Sequence, residues 1–325
     1  MVQLILIGVG AGAASALLFA SIASGTMLSI ALFYVAALPI LIATIGWSTL
    51  AGLIAAVLAA VSLGIIIDWR FFIAYGIGVG APAWWLGYLA MLARPAHTNG
   101  DAGAPDALEW YPAGRLVLWC AVLGALGVVA VIPYFGFDRE TFDATLRASF
   151  ERALRARTAA DGTLQIPGVK DPKQLLDILV AYMPMAAAML GTLVQMFNLW
   201  LSARIVRMSG RLKRTWPDLP SIEFPPLAAG ATALALAGSF LPGIVGLVAS
   251  VFAVALLIAY AVLGLAVLHS ITRGISARGV TLGAAYALIL LQGWPVLLAS
   301  VLGFVDSAFN LRARVANWRG NPPNT

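Results

Sequence analysis

The chain has 325 residues, 61% of them hydrophobic and 10% charged, with a formal net charge of +6. Soluble domains hold about 25% charged residues, so this composition, with a mean hydropathy of +0.93, excludes a water-soluble globular protein and fits a membrane protein. Nucleic acid is not implied by the positive charge, because the basic residues stand at the ends of apolar segments, where the positive-inside rule places them.

No Asp, Glu, Lys or Arg precedes Asp68. That uncharged run divides at turn signals into spans of membrane length. Residues 3–22 form the first, read as a retained span because no basic region precedes it. The second covers 27–44 and contains Pro39; the third follows Gly46-Trp47 and reaches residue 67. Asp68-Trp69-Arg70 makes a short loop before a fourth span at 71–92. Ala16-xxx-Ala20 and Gly76-xxx-Gly80 have the small-residue spacing that lets helix backbones approach closely.

Residues 94–115 are rich in Pro, Gly, Asn and Asp and read as an exposed loop. A fifth span at 116–134 leads to the one sizeable extramembrane segment, 136–177, whose seven basic and seven acidic residues cancel. Within it, Phe142, Leu146, Phe150 and Leu154 recur every four residues. This predicts an amphipathic helix over 139–157, lying on the membrane surface or against the bundle, with Asp138, Glu140 and Asp143 on its solvated face. Asp161-Gly162 and Pro167-Gly168 turn the chain back.

Asp171 caps the sixth span, Pro172 begins it and Pro184 predicts a kink. Gly191, Gln195, Asn198 and Ser202 fall on one face as a polar stripe. Arg204, Arg207, Arg211, Lys213 and Arg214 then mark the cytoplasmic side. A short seventh span follows at 224–241 and a long eighth at 244–269, before Arg273 and Arg278. The last apolar stretch, 280–309, is interrupted at Gln292-Gly293-Trp294-Pro295. A hairpin hinged there keeps Arg312, Arg314 and Arg319 on the same side as the other basic loops, which puts both termini in the cytoplasm and 136–177 outside. The expected fold is all-α: a polytopic transmembrane helix bundle of about eight to ten spans with one extramembrane amphipathic helix. It divides into an N-terminal five-span block (1–135), the extramembrane segment (136–177), a C-terminal membrane block (178–311) and a basic tail (312–325).

Polar groups at membrane depth are the default site candidates. Gln195 and Asn198, with Ser202 and the wall residue Trp84, form the candidate ligand-binding set; the competing reading of the carboxamides is interhelical hydrogen bonding. Trp84 and Trp85 also suit an interfacial aromatic belt. Asp306, Asn310 and Arg312 form a C-terminal constellation in which an Asp306–Arg312 ion pair pins the last helix, against a reading as substrate contact. Asp68 and Arg70 read as interface residues, and His269 and Arg273 as surface groups. A single cysteine, Cys120, and two distant histidines, His97 and His269, offer no disulfide framework or metal set. No hydrolase elbow, zinc-protease helix, phosphate loop or carboxylate pair appears, so no catalytic residue, metal or cofactor is expected.

Several of these features resemble the YybS-like group, a family of bacterial membrane proteins known as a domain of unknown function. They are the apolar N-terminal block with Pro39 and Gly46-Trp47, then Pro184, Asn198, Arg204 and Arg207. The most specific is the ending Leu302-Gly303-Phe304-Val305-Asp306, followed by Phe309-Asn310-Leu311-Arg312. The sequence departs from the group near Asn310, where the family has an acidic residue, and its segment 136–177 is longer than the family norm. The N-terminal block is in turn similar to substrate-binding membrane subunits of energy-coupling-factor vitamin transporters. The resemblance implies an inner-membrane location.

Two functions fit these residues. One is a small-molecule binding or transport subunit of the bacterial inner membrane, with a cavity near the fourth, sixth and eighth spans. The other is a non-transporting accessory protein that meets a membrane protein partner through its basic loop or amphipathic helix. The expected surroundings are the lipid bilayer and either a small-molecule ligand or such a partner, without nucleic acid; an enzyme is not expected.

Overall fold

The apolar segments are helices in the computed structural model, which describes residues 1–95, 108–155, 171–274 and 276–318. By length and composition, six helical segments among the described residues can cross a bilayer: Val2–Ser24, Met27–Gly46, Thr49–Ile66, Ala113–Phe135, Lys173–Met208 and Gly243–Ile271. The fold is an all-α membrane bundle. The turns at Asp161-Gly162 and Pro167-Gly168, and Arg319 in the tail, lie outside the described residues.

In the first block, α1 (Val2–Ala20) packs along α4 (Thr49–Ile66). The contact is close because a Cβ on Gly8 or Gly12 would meet the Ala51 and Ala55 carbonyls, at 2.9 and 2.7 Å. The small-residue spacing that matters is therefore Gly8-xxx-Gly12. The expected Gly76-xxx-Gly80 pair does not act this way, since Gly76 has open space beside it.

The second span is not one helix, which corrects the reading of 27–44. It consists of α2 (Met27–Tyr34) and α3 (Leu38–Gly46), with a break at residues 35–37. Pro39 has no N–H to offer Val35 and its ring crowds that carbonyl. The Leu38 N–H that would serve Tyr34 donates to Val35 instead, at 3.0 Å. The fourth segment is likewise interrupted. α5 (Trp69–Tyr75) and α6 (Ala81–Ala90) are joined by a wide π-type turn, Gly76–Gly80, immediately before Pro82.

A second correction concerns 94–115. Its two ends pair as a short antiparallel hairpin, β1 (Ala93–Pro95) with β2 (Leu108–Trp110), with Arg94 opposite Glu109 and ion-paired to it at 2.8 Å. The middle of that loop lies outside the described residues.

α7 (Ala113–Val129) and α8 (Ile132–Phe135) make the fifth segment, and α9 (Arg139–Arg155) is the amphipathic helix. Phe142 and Leu146 are buried against Ile132, Val180 and Leu247, so its apolar face rests on the end of the bundle. Next comes α10 (Pro172–Met208), capped by the Asp171 carboxylate, which accepts from the Lys173 and Gln174 N–H groups. At 37 residues it is about 55 Å long and outreaches a hydrocarbon core of about 30 Å.

α11 (Pro226–Gly238) is short, at 13 residues. α12 (Gly243–Ile271) is apolar on all sides and the most buried of the long helices, in contact with α7, α10, α11 and α14. The last apolar stretch is two helices, α13 (Arg278–Gln292) and α14 (Pro295–Phe309), hinged where Gly293 adopts φ +72°. α13 buries no residue, whereas α14 lies tightly on α12. There Gly264 and Gly303 face each other's helices; a Cβ on the first would strike the Ala299 carbonyl and on the second the Tyr260 carbonyl. α15 (Leu311–Trp318) closes the described chain.

Candidate functional site

The segment between α10 and α11 decides what this bundle can hold. Its arginines fold back onto the bundle and are held individually. The Arg211 guanidinium lies 4.6 Å over the Trp47 ring, and that of Arg207 lies 5.0 Å over Trp216. Arg214 donates to the Ala90 carbonyl at 3.0 Å and the Tyr111 carbonyl at 2.8 Å, tying the segment to the ends of α6 and β2. Burial lowers the pKa of Arg214 from its usual value, yet an arginine stays charged. Arg312 reaches in from α15 and donates to the carbonyls of Pro220 and Ile222, at 2.7 and 2.9 Å.

Folded this way, the segment roofs a cavity of about 730 Å³ between α7, α10 and α12. Its walls are apolar: Leu116 and Cys120 from α7, Met196, Leu199 and Ala203 from α10, and Val262 from α12. The polar groups gather at the roof, where Arg207, Arg214, Trp216 and Asp218 line it. Asp218 is already paired with Arg273, at 2.7 Å. Arg207 and Arg214 have no carboxylate partner among the described residues. A concave apolar site with a few convergent polar groups at one end is the form a small-molecule pocket takes.

The expected ligand set lies elsewhere. Gln195, Asn198 and Ser202 share a buried face of α10, but none of them lines the cavity. Asn198 donates from Nδ2 to the Tyr34 carbonyl at 2.8 Å and to Val194 at 2.9 Å, so it serves the break between α2 and α3. The same break receives Ser15, whose hydroxyl donates to the Ala36 carbonyl and lies 2.5 Å from the Tyr75 hydroxyl. Ser202 bonds back to Leu199 of its own helix. Gly191 sits where α7 and α10 approach, with Gly124 Cα 3.5 Å from a Cβ built on it. The side-chain oxygens of Gln195 and Asn198 are buried without a partner among the described residues. The space beside Gly87 in α6 is filled by the Thr44 side chain. Trp84, half-buried, donates from Nε1 to the Thr49 carbonyl at 3.1 Å and stacks with Tyr88.

Asp306 and Arg312 do meet. Asp306 is 2% exposed and accepts from the Arg312 N–H at 3.0 Å and from its guanidinium Nε at 2.9 Å. Asn310 turns the chain between them with φ +51°, a left-handed conformation that Asn adopts more readily than a β-branched residue. His269 bonds back to Leu265 and lies against Tyr286. No cluster of three His, Cys, Asp or Glu that could hold a metal occurs among the described residues.

The sequence reading missed the cavity because its walls look like lipid-facing surface. Met196, Leu199 and Ala203 each follow a stripe residue by one position, about 100° around the helix. One signal was available: Trp216, a large aromatic inside a basic loop, needs cover from water, and Arg207 nine positions before it can supply that cover.

A family model described as "Predicted membrane protein (DUF2232)" matches residues 13–307. Neither the search of curated proteins nor that of solved structures found a match.

Proposed function

The chain belongs to this family of predicted membrane proteins, and from that premise we propose that it is a small-molecule binding subunit of the bacterial inner membrane. The observation that carries the reading is the 730 Å³ cavity, apolar along three helices and polar at one end. Its volume falls within the roughly 300–1,000 Å³ of typical ligand pockets. The cavity touches the fourth span at Ala90 and Met91 as well as the sixth and the eighth, the three expected to surround a ligand. We read the chain as non-catalytic, since among the described residues no nucleophile with a base and no acid–base pair lines this space. The inner membrane suits the clustering of arginines at one end of the long helices.

The accessory-protein reading draws less support, because the surfaces it would use are occupied from within. The apolar face of α9 rests on Ile132, Val180 and Leu247, and Arg211, Arg214 and Arg312 are spent on intramolecular contacts.

Native mass spectrometry of protein purified in mild detergent tests the proposal. The wild type is expected to carry a bound small molecule that Ala203→Trp and Val117→Trp, which fill the cavity from two helices, both exclude. Retention of the same molecule by two folded filling variants would refute it.

A further inference from the structure

The charge around the cavity is one-sided. Among the described residues Arg207 and Arg214 line it without a carboxylate partner, and Asp218, the one carboxylate in the lining they form, is already paired with Arg273. The two arginines differ in freedom. Arg214 spends donors on Ala90 and Tyr111, so it contributes fixed positive charge. Among the described residues Arg207 makes only its contact with the Trp216 ring, which leaves the edge donors of its guanidinium open there. Stacked on an aromatic face, a guanidinium keeps its fork of N–H groups in plane and presents it to an anion in two-pronged fashion.

Position matters as much as charge. Arg207 lies one position before the end of α10, where the chain leaves its apolar run. Met196, at the far end of the same wall, is eleven residues earlier, about 16 Å along the helix axis. The cavity is therefore long, greasy at one end and cationic at the other.

We propose that its ligand is an anionic amphiphile, an apolar tail bearing a phosphate or carboxylate, with the tail along α7, α10 and α12 and the headgroup held by Arg207. Arg214 is a positioning residue that holds the roof and adds field. The inference rests on the cavity being a ligand site, and it names the class of ligand.

The test uses delipidated full-length protein in neutral detergent and four probes: hexadecyl phosphate, palmitate, hexadecanol and inorganic phosphate. Binding is followed by thermal shift and native mass spectrometry. Both anionic probes are expected to bind at least about tenfold tighter than hexadecanol, as one charge-assisted bond allows. The preference should shrink as salt rises, because the headgroup end is open to solvent. Arg207→Gln should bring the three tailed probes within about twofold of one another, and Arg207→Lys, which keeps the charge without the fork, should fall between. Ala203→Trp should abolish binding of all tailed probes. If Arg207→Gln leaves the anion preference intact while Ala203→Trp still blocks binding, the headgroup assignment is overturned and the cavity reading stands. If Ala203→Trp blocks nothing, the cavity reading itself fails. Inorganic phosphate binding as tightly as hexadecyl phosphate would show a free-anion site and overturn the amphiphile.

Discussion

The carboxamide of Asn198 donates to the main-chain carbonyl of Tyr34, 164 positions earlier in the chain, at 2.8 Å. Tyr34 ends α2 at the break imposed by Pro39, so its carbonyl would otherwise sit inside the bundle without a helical donor. Irregular backbone at membrane depth survives only where other groups satisfy it. Asn198 thus makes the two-part second span tenable.

Asn198→Leu is expected to destabilise the fold. The variant leaves the Tyr34 carbonyl unpaired in a dry site and should lower stability by about 1–3 kcal/mol. Gln195→Leu is the control: the Gln195 side-chain oxygen is buried without a partner among the described residues, so removing it should be neutral or stabilising. Thermal unfolding of both variants in the same detergent decides it, and equal melting temperatures would contradict the role given to Asn198.

Much of this fold could be read from the chain, and the limits have physical causes. Span positions follow from hydropathy, which bilayer thickness converts directly into helix length. The hinge at Gly293 was visible because Gly and Pro stand together inside an apolar run. Pro39 was equally visible, yet a proline can bend a helix or break it. The choice here depends on Ser15 and Asn198 being present to donate to the freed carbonyls, with the Tyr75 hydroxyl bonded to that of Ser15, which is tertiary information. The strands β1 and β2 are three residues each, too short to carry a periodicity. The cavity was hidden for a similar reason: it exists only because Arg214 and Arg312 pull the 211–222 segment back across the helix ends.

The Asp306–Arg312 pair supports a second prediction. Arg312 satisfies a carboxylate that is 2% exposed and, through its other donors, the carbonyls of Pro220 and Ile222. Arg312→Met leaves Asp306 uncompensated and should cost about 3–5 kcal/mol. Combining it with Asp306→Leu should recover a large part of that loss, since no buried charge then remains. A double-mutant cycle on unfolding free energies checks this, and additive losses would argue against a coupled pair.

Helix approach gives a third. Gly303→Ala drives a methyl group into the Tyr260 carbonyl across the α12–α14 contact and should destabilise by about 1–3 kcal/mol. Gly283→Ala lies within α13 with open space beside it, so it should leave stability unchanged or slightly raised. A pair of variants with the same chemistry and opposite outcomes isolates packing from helix propensity. Matching melting temperatures would mean that α14 is not seated as described.

The last prediction separates two seats for α9. Its repeat of Phe and Leu suits a membrane surface, but Phe142 and Leu146 are buried against Ile132, Val180 and Leu247 of the bundle. An interfacial helix loses its protection when the bilayer is removed; a helix packed on protein keeps it. Spin labels along α9 should therefore show the same four-residue rhythm of water exposure in detergent micelles as in vesicles. Leu146→Glu should free the helix in both settings, since burying the new carboxylate is unfavourable and the lost contacts alone are worth about 2 kcal/mol or more. Limited proteolysis within 139–155 should then accelerate roughly tenfold or more, because cleavage follows the population of the open form. The Arg147–Asp177 ion pair is solvent-exposed and should matter far less, so Arg147→Gln is expected to leave the cleavage rate within about threefold of wild type. A rhythm that appears only in vesicles would return α9 to the membrane surface.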